Sequence, residues 1–291
     1  MKPNKKSPVE GTMHGIFLFC GFTAVAFVLF LTGYLLVAGL PAIREIGLIP
    51  FLTGIVWNST GSDPQYGIAP FILTSFYGTF GAIVLGVPVG VLTAIYLAKM
   101  APEGVRKVLR TAVDLLAGIP SVVYGLVGMM VLVPTVQKIF NLPHGANLFS
   151  AILVLAVMIL PTVISVSETA LRAVPKEYEE ASLALGATKT ETVMKVSVHA
   201  ASSGIASAVV MGIGRAIGEA MAVMMVSGNV ANMPGLFTSV RFLTTAVASE
   251  MAYSSGLQRQ ALFSIALVLF GFVMVINLIL NALMKKGAQK A

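Results

Sequence analysis

Arg215 and Glu219 carry opposite charges four residues apart inside an otherwise apolar stretch, Ser202–Ser227. On a continuous helix that spacing places both side chains on one face. A charge at the centre of a bilayer costs roughly 2.5–3.5 kcal/mol, so both are expected to face the interior of a helix bundle. An arginine fork stays charged and donates two parallel hydrogen bonds to an oxyanion. Glu219 would hold Arg215 in place or take a proton from the oxyanion. The alternative is a self-neutralising pair that only stabilises the bundle. Glu168, with Ser165 and Ser167 close by, is a further acid in an apolar run. Its expected role is an i,i+4 pair with Arg172, with a secondary place in a pathway or gate as the other reading. Asp114 stands four residues after Arg110. Pro120 and Ser121, in the run Gly118-Ile119-Pro120-Ser121 with Gly125 and Gly128 following, predict an irregular span. Such breaks are tolerated at membrane depth where they line a cavity or are buried in protein.

The elements that position these residues follow from composition. The chain has 291 residues, 57% hydrophobic and 11% charged, with a net charge of +7 and a mean hydropathy of +0.90. A soluble domain has about 25% charged residues. The chain therefore reads as an all-α integral membrane protein, and a soluble enzyme, a nucleic-acid binder and a disordered chain are disfavoured. Six spans are expected at Gly15–Leu40 (ended by Pro41), Ile68–Ala98, Ala112–Val136, Leu148–Ala170, Ser202–Ser227 and Ala261–Met284. They are helices rather than barrel strands, because the apolar runs do not alternate. With the N-terminus inside, Lys2, Lys5, Lys6, Lys99, Arg106, Lys107, Arg110, Arg172, Lys176, Lys189, Lys195, Lys285, Lys286 and Lys290 fall inside, and only Arg44, Lys138, Arg241 and Arg259 outside. That asymmetry predicts both termini in the cytoplasm. The expected division is a tail at 1–14, a permease domain at 15–284 containing a cytoplasmic loop at 172–199, and a tail at 285–291. The first apolar run is too long for a cleavable signal peptide. The loop holding Trp57, Asn58, Gly61, Asp63 and Pro64 reads as irregular, with an interfacial aromatic, and the segment Gly228–Gln258 has room for a short helix.

Small residues recur every four positions on two spans, at Gly78, Ala82, Gly86, Gly90, Ala94 and Ala98 and at Gly204, Ala208, Gly212, Ala216 and Ala220. Such ridges let helix backbones approach closely, and packing is their expected role. Cys20 has no partner for an intrachain disulfide. His14, His144 and His199 share no metal-ligand spacing, so neither a metal site nor a catalytic group is expected.

The loop after Arg172 has its own grammar. Pro175 suits a first helical position, Glu177, Glu179 and Glu180 a positive helix N-terminus, and Gly186 a helix end. Thr188 and Glu191 are spaced for a capping box. A helix, a glycine turn and a second helix are expected, with Tyr178, Ala181 and Leu185 as one apolar stripe. The stripe either docks a partner or packs on the chain's own spans.

The pattern Glu180-Ala181-Ser182, then Gly186, then Val196-Ser197-Val198, resembles the loop that marks permease subunits of binding-protein-dependent ABC importers. In that family the loop inserts into a groove on the ATPase and passes on its closing motion, which implies a coupling role for Glu180, Ala181, Ser182 and Gly186. Ser182 stands where a second alanine is usual, and His199 where a proline commonly follows. Gly118-Ile-Pro-Ser-Val-Val-Tyr-Gly125 and Gly214-Arg-Ala-Ile-Gly-Glu219 resemble the paired permeases of the phosphate importer, and the continuation Ala220–Asn229 looks like the PstC-type subunit. Ala220 replaces a frequent threonine. The resemblance implies a MetI-like architecture in a prokaryotic inner membrane. It also implies a homologous PstA-type permease, a PstB-type ATPase dimer and a PstS-type binding protein as partners. Arg215 and Glu219 are then candidates for the phosphate pathway. The chain lacks the G-x-x-x-x-G-K-[ST] spacing of a nucleotide loop. ATP and magnesium are accordingly expected on the partner ATPase, and no cofactor on this chain. A permease for sulfate, molybdate or phosphonate is the alternative within the class, and a self-sufficient secondary transporter the one outside it.

Overall fold

The computed structural model describes residues 8–59 and 63–288. Residues 1–7 and 289–291 of the two expected tails, with Lys2, Lys5, Lys6 and Lys290, and Gly61 lie outside the described residues. Helix α1 (Pro8–Ile46) runs through Pro41 rather than ending there. The missing proline amide falls close to the helix end, where few intrahelical bonds depend on it. Gly39 lies against the backbone of Phe263 and Ser264, whose hydroxyl donates to the Gly39 carbonyl at 2.6 Å.

A short helix α2 (Leu48–Thr53) and a two-residue hairpin, β1 (Trp57–Asn58) with β2 (Gln65–Tyr66), follow. Trp57 is not an interfacial anchor. It is buried against Tyr66 and Phe71, and its indole N–H reaches the Glu250 carboxylate at 3.2 Å. A buried indole needs such an acceptor.

The second span is α3 (Ala69–Ile95), extended by a π-helical turn at Tyr96–Met100. The third departs from the expected boundary. Residues 112–118 belong to an amphipathic helix, α4 (Glu103–Gly118), and the apolar span itself is 121–139. It is irregular, as the sequence predicts: α5 (Ser121–Val127), a π turn at Gly128–Leu132 and α6 (Val133–Ile139). Pro120 sits in extended backbone at the junction with α4. The fourth span, α7 (Leu148–Arg172), has 61% of its most apolar window buried, against none for α1. Helix α7 is therefore the hub and α1 peripheral.

The 172–199 loop forms α8 (Lys176–Ala184), a turn with Gly186 at φ +89°, and α9 (Lys189–Thr192). A π turn at Val193–Ser197 and the short α10 (Val198–Ala200) complete it. The capping box is present: the Glu191 amide donates to Thr188 Oγ1 at 3.3 Å, and the Thr188 amide to Glu191 Oε2 at 3.0 Å. The chain bends by 69° between Lys189–Ala200 and α11 (Ser202–Gly218). The fifth span then breaks at Glu219–Ala220 and resumes as α12 (Met221–Val226). Helix α13 (Leu243–Glu250) is the short helix expected after Gly228, and α14 (Gly256–Ala288) closes the bundle.

Both small-residue ridges serve packing, and both meet α7. A Cβ on Gly86 would lie 2.8 Å from Ile159, and one on Gly90 2.8 Å from Val163. Ala208, Gly212 and Ala216 of α11 are buried in the same way, with Gly212 against Val163.

Candidate functional site

The site is built on the break in the fifth span. Arg215 lies in the last turn of α11, about 20 Å along that helix from its start. Its guanidinium donates to Thr162 Oγ1 of α7 at 3.4 Å and is half-buried. Glu219 does not share a helix face with it. The helix ends at Gly218, and Glu219 takes extended backbone (φ −73°, ψ 130°). Its Oε1 accepts the Ala222 amide at 3.0 Å, and its carbonyl accepts the Thr244 hydroxyl at 2.7 Å. The carboxylate thus caps the positive end of α12, and Arg215 has no ion-pair partner among the described residues. The i,i+4 argument fails for a physical reason: it presumes unbroken helix.

The break is braced by its neighbours. A Cβ on Gly125 would lie 2.8 Å from Ala222 Cα, and one on Gly128 2.8 Å from Val226, so α5 and the π turn after it approach α12 through these glycines. The two motifs that the sequence singles out, Gly118–Gly125 and Gly214–Glu219, are in this way neighbours in space. Tyr124 donates its hydroxyl to the Leu116 carbonyl at 2.8 Å, joining the Ile119 amide on that acceptor at the end of α4. Pro120 is exposed and Ser121 half-exposed at this junction. A cavity of about 790 Å³ opens beside it, between α3, α5 and α7. Its lining, including Leu85, Val89, Val127, Val131 and Leu160, is apolar and suits hydrocarbon rather than an oxyanion. Thr162 and Thr244 escaped the sequence reading. Proximity to Pro161 is the only signal for the first, and the second has none.

On the face bearing the 172–199 loop, Glu168 is 2% exposed and holds two arginines. Arg172 donates to it at 2.6 and 2.9 Å, as the sequence predicts, and Arg110 of α4 at 2.7 Å, which the sequence does not reveal. That hydrogen bond, with burial opposing it, raises the Arg110 guanidinium above its ordinary value. Glu168 is therefore a structural staple between α4 and α7. Glu179 of α8 pairs with Lys99 and accepts the Ser197 hydroxyl at 2.8 Å. Burial alone would raise its carboxyl, but the bonds from Lys99 and Ser197 and the charges of Lys99 and Lys176 hold it below the ordinary value. Ser182 hydrogen-bonds Thr192 at 2.9 Å. Glu180, Ala181 and Gly186 are exposed, as are Tyr178 and Leu185, the latter 90%. The apolar stripe does not pack on the chain's own spans.

On the opposite face, Arg241 pairs with Glu250 and donates twice to the Asn229 carbonyl, at 3.1 and 2.9 Å. Gln258 adds a bond to Glu250 at 3.1 Å. These contacts tie the irregular segment after Gly228 to the hairpin and α13.

The sequence pattern of the family described as binding-protein-dependent transport system inner membrane component matches residues 86–290. The probable ABC transporter permease protein YqgH of Bacillus subtilis (strain 168) is 40% identical over 267 residues, covering 89% of this chain and 86% of that protein. The phosphate transport system permease protein PstC of Haemophilus influenzae is 34% identical over 260 residues, 82% of each. Among solved structures, an inward-facing MetNI methionine ABC transporter has a TM-score of 0.57 at 22% identity, over 76% of this chain and 94% of that one. A bacterial alginate ABC transporter has a TM-score of 0.61 at 15% identity, over 94% of both. The two structures share the fold.

Proposed function

The chain belongs to the family of binding-protein-dependent transport system inner membrane components, and we propose from there that it is the permease subunit through which an ATP-driven importer moves inorganic phosphate into the cytoplasm. The observation that carries the substrate is Arg215, a guanidinium at membrane depth whose would-be partner is spent on a helix cap. An unneutralised arginine there is costly unless a mobile anion answers it. Its planar fork matches two phosphate oxygens, with Thr162 and Thr244 hydroxyls close to the same break. The phosphate permeases among its relatives support that anion. Sulfate, molybdate and phosphonate are the competitors.

The loop at 172–199 lies in the cytoplasm in this reading, with both termini. Tyr178, Ala181 and Leu185, with Glu180 and Gly186, form the surface that docks an ATPase dimer, which carries ATP and magnesium, and Ser182 supports that surface from behind through its bond to Thr192. A homologous permease completes the pathway, and an extracytoplasmic phosphate-binding protein delivers to the opposite face. ATP-driven closure moves the loop and exposes Arg215 first outward, then inward.

Arg215→Gln in the assembled complex is the test. Removing charge-assisted hydrogen bonds of about 1.5–3 kcal/mol each should cut phosphate uptake at least about tenfold. The ATPase should still copurify. Uptake at the level of the unaltered protein overturns the assignment of Arg215, and stronger inhibition of uptake by sulfate, molybdate or phosphonate than by unlabelled phosphate reassigns the substrate.

A further inference from the structure

Helix α8 has two faces and no buried residue. Tyr178, Ala181 and Leu185 point away from the chain, while Glu179 and Ser182, three apart, point toward it. With no side chain of α8 buried, apolar packing does little to hold it, and the polar contacts of those two residues carry the attachment. Ser182 bonds only locally, to Thr192 in the next helix. Glu179 reaches further. One bond goes to Lys99, which is 12% exposed at the end of the second span. The other comes from Ser197, fully buried at the root of the fifth.

Both partners sit in π-helical turns, Lys99 in Tyr96–Met100 and Ser197 in Val193–Ser197. A π turn holds one residue more than the helix around it needs, and such turns concentrate at functional sites. Each lies between Glu179 and a rigid segment. Beyond the first is α3, locked to α7 through Gly86 and Gly90. Beyond the second, across the 69° bend, is α11 with Arg215 in its last turn.

We infer that Glu179 is a positioning residue of transport: it clamps the exposed coupling helix to the second and fifth spans at once, so that a displacement of α8 is passed through the two π turns to the helices around Arg215. Resting on the permease reading, the clamp is distinct from the docking stripe, because Glu179 faces away from it.

The test is a charge exchange on the complete transporter, comparing Glu179→Gln, Lys99→Gln and the exchange Glu179→Lys/Lys99→Glu. The readouts are phosphate taken up per ATP hydrolysed and copurification of the ATPase. Each single variant should keep the ATPase and lower uptake per ATP by roughly two- to thirtyfold, the range of measured coupling effects, and the exchange should recover most of it. An unchanged ratio in both single variants overturns the clamp. So do loss of assembly in both, which makes the contact merely structural, and equal falls of uptake and hydrolysis without recovery in the exchange. If the unaltered protein shows neither ATP-dependent uptake nor a bound ATPase, the permease reading has failed instead.

Discussion

Glu219 shows how little a residue's type and spacing say without its backbone. Four residues from an arginine, a glutamate on a helix would neutralise it. Here the helix stops at Gly218, and the same carboxylate turns to the Ala222 amide at the start of α12. The charge types and the apolar surroundings of the Gly214–Glu219 motif were legible in the sequence. The direction of each side chain was not, because it depends on a break that only Gly218 hints at. The capping geometry makes a prediction that separates oxygen from charge. Glu219→Ala removes the acceptor and should destabilise the folded chain by about 1 kcal/mol, read as a lower thermal midpoint in detergent. Glu219→Gln keeps an oxygen at the same place and should hold most of that stability. If the two variants melt alike, the cap is not what the carboxylate does for the fold. If both variants lose uptake while Glu219→Gln holds the midpoint, the charge acts in transport apart from the cap.

At the scale of elements, sequence patterns with local causes were readable and those with distant causes were not. The capping box at Thr188–Glu191, the break at Pro120 and the ridges of small residues all follow from neighbouring positions, and all are present. The boundary of the third span was misplaced because the apolar face of α4, with Val105, Val108 and Leu115, runs into the apolar run of α5 and blurs one into the other. The contacts of Glu168 with Arg110 and of Glu179 with Lys99 span too much sequence for any periodicity to reveal. Gly186 lends the 172–199 loop a prediction of its own. At φ +89° it occupies left-handed backbone that side chains rarely adopt, yet a Cβ there would meet nothing within 4 Å. Gly186→Ala therefore costs backbone strain of about 1–2 kcal/mol and no clash. With no buried residue in α8, the strain is relieved by tilting that helix rather than by unfolding the spans. Uptake and ATPase copurification should fall while the thermal midpoint of the chain hardly moves. A midpoint that drops with transport intact would make the turn a folding element only.

For the whole molecule, the arrangement of charge across the bundle decides which way it faces. Lys99, Arg106, Lys107, Arg110, Arg172, Lys176, Lys189 and Lys195 gather on the face of the 172–199 loop, and the ion pairs from Lys99 to Glu179 and from Arg110 to Glu168 place these distant segments at the same end. The opposite end holds Arg241, closed into a pair with Glu250 beneath the hairpin. Basic residues retained on one side orient a membrane protein with that side in the cytoplasm. Two positions report the orientation cleanly. Gly104, at the start of α4, is exposed with open space where a Cβ would go, and Tyr253, between α13 and α14, is 91% exposed. With Cys20 replaced by serine, a cysteine at either site is the chain's only thiol. A membrane-impermeant maleimide applied to cells whose outer leaflet is open to it should label Tyr253→Cys and leave Gly104→Cys untouched until the membrane is permeabilised. Neither site is shielded by the chain's own packing, so with the chain expressed without its partners the difference reports the side of the bilayer. Labelling in the reverse order would invert the permease, put the coupling stripe out of reach of any cytoplasmic ATPase, and remove the importer reading with it.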